Sequence, residues 1–104
     1  MDLTEGIYGR KVRVSEERLT HIADSHPEMN DQVPRIEETL SFLDNVVESN
    51  TDNSVELYYR KYENTPIGEK YLCVILKVKE NDVFMLTAYF TDTIKRGRTI
   101  WKRK

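Results

Sequence analysis

The sequence has little of what several classes of small protein require. Its 104 residues include one cysteine, three prolines and four glycines. A lone cysteine cannot form a disulfide within the chain, and it is typical of a reducing compartment. Cys73 lies in a strongly apolar run, so we expect a small buried side chain rather than a reactive thiol. These features predict a cytoplasmic protein.

The patterns of membrane, metal and phosphate-loop proteins are also missing. No apolar run approaches the ~20 residues of a membrane span, and the first residues lack the basic-then-apolar pattern of a secretory signal. There is no HExxH pair and no cysteine cluster, and the glycines are scattered at positions 6, 9, 68 and 97. We therefore expect no membrane association, no metal site and no cofactor.

Charge is unevenly distributed along the chain. Residues 1–57 contain 5 basic and 13 acidic residues, a balance of −8, whereas residues 58–104 contain 11 and 5, a balance of +6. Six of the last ten residues are basic and none is acidic. A local field of this kind attracts an anionic partner even when the net charge, here −2, does not.

Residues 1–104 are expected to form a single domain with two helices in its first half. Ser15 occupies the position of an N-cap, and the apolar stripe after it ends at His26 because Pro27 disfavours helical geometry there. A second apolar stripe predicts another helix between about residues 31 and 45.

The second half predicts sheet. The expected strands cover residues 55–62, 71–79 and 83–91, with a short edge strand at 46–47 and another short one at 12–14. Residues 71–76 are apolar at every position, which is typical of a central strand covered on both faces. The predicted fold class is α+β, with two N-terminal helices packed on one face of a twisted antiparallel sheet of about four strands.

The pairing of the last two strands follows from their apolar positions. A three-residue loop over 80–82 places Leu72 opposite Phe90 and Leu76 opposite Leu86, which gathers alternate apolar residues on one face. The other face then collects Tyr71, Cys73, Ile75, Lys77, Met85, Thr87, Tyr89 and Thr91. In the preceding strand, we assign Tyr58, Arg60 and Tyr62 to this same mixed face.

The mixed face and the tail contain the candidates for substrate binding. Basic side chains clamp phosphates, and aromatic rings give bases a stacking surface. The candidates are Tyr58, Lys77 and Thr91 on the face and Lys95, Arg96 and Arg98 in the tail. The alternative is a solvated sheet face that is rich in Tyr and Thr because strands favour them.

His21 and His26 are the candidates for acid–base chemistry. RNA cleavage by the 2′-hydroxyl needs a base, an acid and positive charge near the phosphorane, and two histidines with Arg or Lys supply these without a metal. Positions five apart on a helix diverge by about 140°, so the two need not act together. The alternatives are a solvated surface His21 and a partly buried, structural His26.

The chain resembles the small phage- and toxin-associated nucleases of the barnase–EndoU–colicin–RelE-like group. The resemblance lies in the order of its motifs: His21-Ile22, His26-Pro27-Glu28, Tyr58-Tyr59-Arg60, the strand 71–77, Leu86 to Thr91, Ile94-Lys95-Arg96-Gly97 and Trp101. Asn45 departs from the pattern, since a proline is expected before the Val-Val pair.

That resemblance implies a two-helix-plus-sheet ribonuclease that needs no metal and is often neutralised by a partner protein. It implies a catalytic role for His26 or His21, phosphate contacts from Arg60 and Lys77, and site hydroxyls among Thr87, Tyr89 and Thr91. The leading hypothesis is thus a toxin-like, metal-independent endoribonuclease that cleaves single-stranded RNA. The alternatives are a non-catalytic nucleic-acid-binding module and a protein-interaction domain that binds an acidic antitoxin or immunity protein.

Overall fold

The structure is a computed structural model that describes residues 3–5 and 11–103. Its helical elements are α1 (Glu16–Ser25), a 3₁₀ turn (Pro27–Met29) and α2 (Val33–Ser41). The strands are β1 (Leu3–Glu5), β2 (Lys11–Arg13), β3 (Asn45–Glu48), β4 (Val55–Thr65), β5 (Gly68–Lys79), β6 (Asp82–Thr91) and β7 (Arg98–Lys102). The α+β class and the two helices are as predicted.

Local chemistry sets the helix boundaries. The Ser15 hydroxyl accepts a hydrogen bond from the Arg18 amide (3.1 Å), which caps α1 as predicted. The helix ends at Ser25, before His26 and Pro27. Helix α2 ends at Ser41 rather than near residue 45, because the next residues already pair with β4: the Asp44 amide donates to the Tyr59 carbonyl (2.7 Å).

The sheet is larger than predicted and is not purely antiparallel. Within the described residues it has seven strands in the order β1-β2-β6-β5-β4-β3-β7, and β2 runs parallel to β6. The prediction of about four strands is therefore wrong in number, and the predicted antiparallel pairing holds for every pair except β2 with β6. Strands β1 and β2 have three residues each, too few for an alternating pattern, and β7 lies in the basic tail. Strand β3 is not an edge strand, because β7 pairs along its outer side.

Helices α1 and α2 cover one face of the sheet, the helix-side face. Its buried core joins Ile22, Met29, Ile36 and Leu40 of the helical elements to alternate residues of the central strands, Leu72, Val74, Leu76, Ala88 and Phe90. Fully burying a side chain such as Leu40 contributes roughly 1.5–3 kcal/mol. This core holds the helices on one face of the sheet. The opposite face, which we call the second face, is not covered by these helices.

The side chains of β4 point to the opposite faces of the sheet from those predicted. Tyr58 pairs with Val74 and is buried in the helix-side core, whereas Tyr59 pairs with Cys73 and faces the other way. Arg60 lies opposite Leu72, so it too is on the helix side. The sequence pattern is ambiguous here because both faces of β4 are covered, and burial then does not select one alternation.

The β5–β6 pairing agrees with the prediction in one half only. From Tyr71 opposite Thr91 to Ile75 opposite Thr87 the register is as predicted. The turn is one residue shorter than expected, and a bulge between Ile75 and Leu76 compensates for it, so Leu76 lies opposite Met85. Met85 is therefore in the helix-side core, where Leu86 was expected.

The segment from residue 92 to 97 crosses the second face. It joins β6 to β7 across four interstrand steps, about 19 Å at ~4.8 Å per step, and seven residue steps span at most about 25 Å. Ile94 packs on the second-face cluster, and a β-carbon on Gly97 would meet β3. This crossing segment thus spans most of the sheet, with bends at residues 92–93 and 96–97, and partly covers the face that was predicted to be open.

None of the helices in the described residues is long and apolar enough to cross a membrane.

Candidate functional site

A row of three side chains crosses the middle of the second face. Tyr59, Cys73 and Tyr89 lie directly opposite one another on β4, β5 and β6. Tyr59 and Cys73 are fully buried, and Tyr89 is half-buried at the β6 end of the row. We call this set the tyrosine–cysteine row, and one candidate functional residue lies at each end of it.

His26 lies at the β6 end. Its ring stacks on the Tyr89 ring, with centroids 5.9 Å apart and planes inclined by 29°. Among the described residues β2 pairs with β6 only at Val83 and Phe84, so the rest of the β6 edge is open to the end of α1. Because Pro27 stops the helix there, His26 reaches that edge while its side chain remains 40% exposed.

Lys95 lies at the β4 end. Its backbone amide donates to the Tyr59 hydroxyl (3.1 Å), which fixes the crossing segment over β4. Burial raises the pKa of Cys73, and the positive charge of Lys95 opposes part of that rise. Both Lys95 and Arg96 are exposed, and in the described part of the chain no carboxylate lies within ion-pair distance of either. Their charges are available to an anion.

Burial keeps the row protonated at neutral pH. It raises the pKa of the Cys73 thiol to about 11, although hydrogen bonds from Tyr59 and Tyr89 act in the opposite direction. It likewise raises the pKa of Tyr89 to about 12 and that of Tyr59 further above its ordinary range. A thiol of this kind is not a nucleophile at neutral pH, so the row offers hydrogen-bond donors rather than nucleophiles.

Two predicted site residues lie on the helix-side face instead. Tyr58 is 1% exposed, and its hydroxyl donates to Glu56 (3.0 Å), so the predicted role in substrate binding conflicts with its burial. The Arg60 guanidinium donates to the Phe42 carbonyl at the end of α2, and its Nε lies 3.6 Å from Glu38. Arg60 therefore ties the end of the helix to the sheet and does not share a face with His26 and Tyr89.

His21 does not approach His26. It is exposed on α1, and its nearest ionic partner is Glu17, one turn earlier, at 4.0 Å. Of the two histidines, it is His26 whose ring contacts a sheet residue proposed for the site.

The other predicted residues of the β5 and β6 strands do lie on the second face. Thr87 is opposite Ile75, and Thr91 is opposite Tyr71, where its hydroxyl donates to the Thr93 carbonyl (3.2 Å). Lys77 is bound to Asp52 (Nζ–Oδ2, 2.7 Å), so its charge is already partnered.

The basic tail is a strand rather than a free segment. Arg98 pairs with Glu48 (3.0 Å), and Arg103 pairs with Asp44 (2.8 Å). Trp101 is partly buried and packs against the helix-side core. Two of the six basic residues of the tail are therefore paired with carboxylates of the acidic first half, and Lys95 and Arg96 remain the best-placed cations.

Sequence reasoning missed Tyr59 and placed it in the core under the helices. The signal that identifies it is the adjacent pair Tyr58-Tyr59, because neighbouring strand residues face opposite ways and one of the two must face the mixed side.

The described residues contain no group of three or more His, Cys, Asp or Glu side chains placed to hold a metal ion. Comparison of the chain with protein-family models, curated proteins and solved structures finds no match.

Proposed function

We propose that this protein is a metal-independent endoribonuclease that cleaves single-stranded RNA at the β6 edge of the second face. The observation that carries the proposal is the stacking of the His26 ring on the Tyr89 ring, which brings a 40% exposed helix-end histidine beside a tyrosine of β6. The likeness of the sequence to small toxin-associated nucleases supports the same conclusion.

The proposed reaction assigns one role to each group. His26 takes the proton of the ribose 2′-hydroxyl, the 2′-oxygen bonds to phosphorus, and the bond from phosphorus to the 5′-oxygen breaks. The Tyr89 hydroxyl, protonated at neutral pH, supplies the proton to the leaving 5′-oxygen. Lys95 and Arg96, at the β4 end of the row, bind a neighbouring phosphate of the same strand. The products are a 2′,3′-cyclic phosphate and a free 5′-hydroxyl.

The test is cleavage of a fluorescent single-stranded RNA in EDTA, with end-group analysis of the products. We expect cyclic-phosphate ends from the wild-type protein. His26→Ala should lower the rate by about 10²- to 10⁴-fold, the usual contribution of a general acid or base. Tyr89→Phe removes only the hydroxyl and should lower the rate while keeping the ring contact.

The matched control is His21→Ala, which removes the same side chain from an exposed site on the same helix. It should leave the rate within about threefold of wild type, since exposed substitutions have small effects. Thermal unfolding of each variant shows whether the fold is kept. Intact RNA at micromolar wild-type protein, or equal losses for the two histidine variants, would contradict the proposal.

A non-catalytic RNA-binding module is the second candidate. It is favoured by the position of Arg60 and His21, because two groups expected in the catalytic set lie away from His26. In that case wild-type protein binds RNA with an affinity that falls steeply with salt, His26→Ala leaves the affinity unchanged, and no cleavage is observed.

A further inference from the structure

A pocket of about 250 Å³ opens on the second face beside Lys95. Its floor is apolar and comes from adjacent strands: Val47 and Leu57 are buried, and Val55 and Ile75 are partly buried. One wall is the loop after β3, residues 49–51, and the other is the crossing segment at Lys95 and Arg96. It has an apolar base, a polar rim on one side and cations on the other, and the Glu48 carboxylate that also lines it is paired with Arg98 (3.0 Å).

The two walls are held in place without a ligand. The Asn50 side-chain amide donates to the Arg96 carbonyl (3.0 Å), which ties one wall to the other. Within the loop the Ser49 hydroxyl accepts from the Thr51 amide (3.3 Å), and the Ser49 amide donates to the Val55 carbonyl (3.0 Å). Since little ordering remains to be done on binding, the pocket is largely pre-formed.

The size and chemistry of the pocket select a small, flat, anionic ligand. Pockets for drug-sized ligands usually enclose roughly 300–1,000 Å³, so a volume of about 250 Å³ suits a single ring system. An apolar floor accepts the face of a ring, the hydroxyls of Ser49 and Thr51 offer hydrogen bonds to its edge, and Lys95 and Arg96 are placed for a phosphate. A nucleotide combines these three features.

The pocket lies at one end of the tyrosine–cysteine row, and the proposed cleavage site lies at the other. Lys95 lines the pocket, and its backbone binds Tyr59, the β4 end of the tyrosine–cysteine row, whose β6 end contacts His26. The row spans two interstrand steps, about 10 Å. At about 3.4 Å per stacked nucleotide, this corresponds to roughly three nucleotides of one strand.

We propose that this pocket binds one nucleotide of the RNA, with its base on Val47, Leu57 and Ile75 and its phosphate on Lys95 and Arg96. The inference rests on the proposed function and deepens it. It places base recognition on the β3–β4 side of the face, separate from the chemistry at His26, so the two can be tested independently.

The test is a titration of the full chain with each nucleoside 5′-monophosphate, followed by amide and methyl NMR, with inorganic phosphate as a parallel probe. We expect saturable shifts at the amides of residues 49–51 and 95–96 and at the Ile75 methyls, and one base should bind more tightly than the others. Lys95→Gln and Arg96→Gln should each weaken binding by roughly 2- to 5-fold, as for exposed ionic contacts.

Ile75→Trp fills the pocket and should weaken mononucleotide binding by more than about tenfold. Its matched control is Ile67→Trp, which adds the same side chain at an exposed position in the turn between β4 and β5. If Ile75→Trp proves unfolded by circular dichroism, the Lys95→Gln, Arg96→Gln double variant carries the test alone.

Three results would overturn the inference: no shifts at these residues, equal shifts with inorganic phosphate, or tighter binding of a short acidic peptide than of any nucleotide. The failure of the proposed function is distinguishable from these. If nucleotide binding survives His26→Ala and the wild-type protein does not cleave RNA, the pocket is supported and the proposed nuclease activity is refuted. If Ile75→Trp leaves the base preference of RNA cleavage unchanged, the nuclease activity is supported and the role of the pocket in base recognition is refuted.

Discussion

Gly97 is the position where one added methyl group should disturb both stability and binding. A β-carbon at Gly97 would lie 2.5 Å from the Glu48 carbonyl oxygen and 2.7 Å from the Val47 Cγ1 atom. Carbon atoms pack best at about 3.5–4.0 Å, so the crossing segment or β3 must move by about 1 Å. The oxygen belongs to the backbone of a paired strand and cannot turn aside as a side chain does.

The expected cost of Gly97→Ala follows from that overlap. Forcing extra atoms into a well-packed site typically costs about 1–3 kcal/mol. With a urea m-value on the order of 1–2 kcal/mol per molar for a small domain, a loss of about 2 kcal/mol lowers the unfolding midpoint by about 1–2 M. The same shift separates Arg96 from Asn50, so nucleotide binding in the pocket should weaken as well.

The assay combines urea unfolding by far-UV circular dichroism with the nucleotide titration. Gly68→Ala is the control: Gly68 has φ +95°, and a β-carbon there would meet nothing within 4 Å. It should cost about 1–2 kcal/mol through backbone strain alone and leave nucleotide binding unchanged. If Gly97→Ala has the same midpoint as wild type within about 0.3 M, or binds nucleotides as tightly, the packing of the crossing segment on β3 is not what forms the pocket.

Three further predictions concern the rest of the fold. Leu40→Ala should lower the free energy of unfolding by about 2–5 kcal/mol, because Leu40 is fully buried. Urea unfolding measures this, and a loss below about 1 kcal/mol would show that the helix-side core repacks. Asp52→Asn should destabilise the protein at pH 7, because Lys77 and neighbouring donors hold the pKa of the Asp52 carboxyl below its usual range in the folded state. The destabilisation should become progressively smaller as the pH falls below about 4. Unfolding curves at pH 7 and pH 3 check this, and an equal loss of stability at both would contradict it. Arg103→Gln removes an exposed ion pair with Asp44 and should change stability by less than about 1 kcal/mol, so a thermal midpoint much lower than wild type would show a stronger role for the tail.

The elements with a local cause were predictable. The start of α1 follows from the side chain of Ser15, and its end follows from Pro27, so both could be read from a few adjacent residues. The central strand β5 was identified because it is apolar at every position and covered on both sides. In each case the information lies within one element.

The elements that depend on distant contacts were not predictable. Nothing near Arg98 indicates a strand, because β7 exists through its pairing with β3, about fifty residues earlier. The same holds for the site: His26 and Tyr89 were both proposed, but their contact depends on how much of the β6 edge β2 leaves open. Arg60 was assigned to the wrong face because the predicted alternation of side chains along β4 was shifted by one residue.

The pairing of β3 with β7 has a consequence for the order in which the protein is built. A ribosome makes residues 45–48 before residues 98–102, so the outer edge of β3 has no strand beside it while about half of the chain is made. Unpaired edges recruit other chains, and contacts of large sequence separation form slowly. Truncation before Arg98 should therefore leave a nascent-like form that aggregates at its β3 edge, and a peptide with the β7 sequence, added in trans, should restore its solubility.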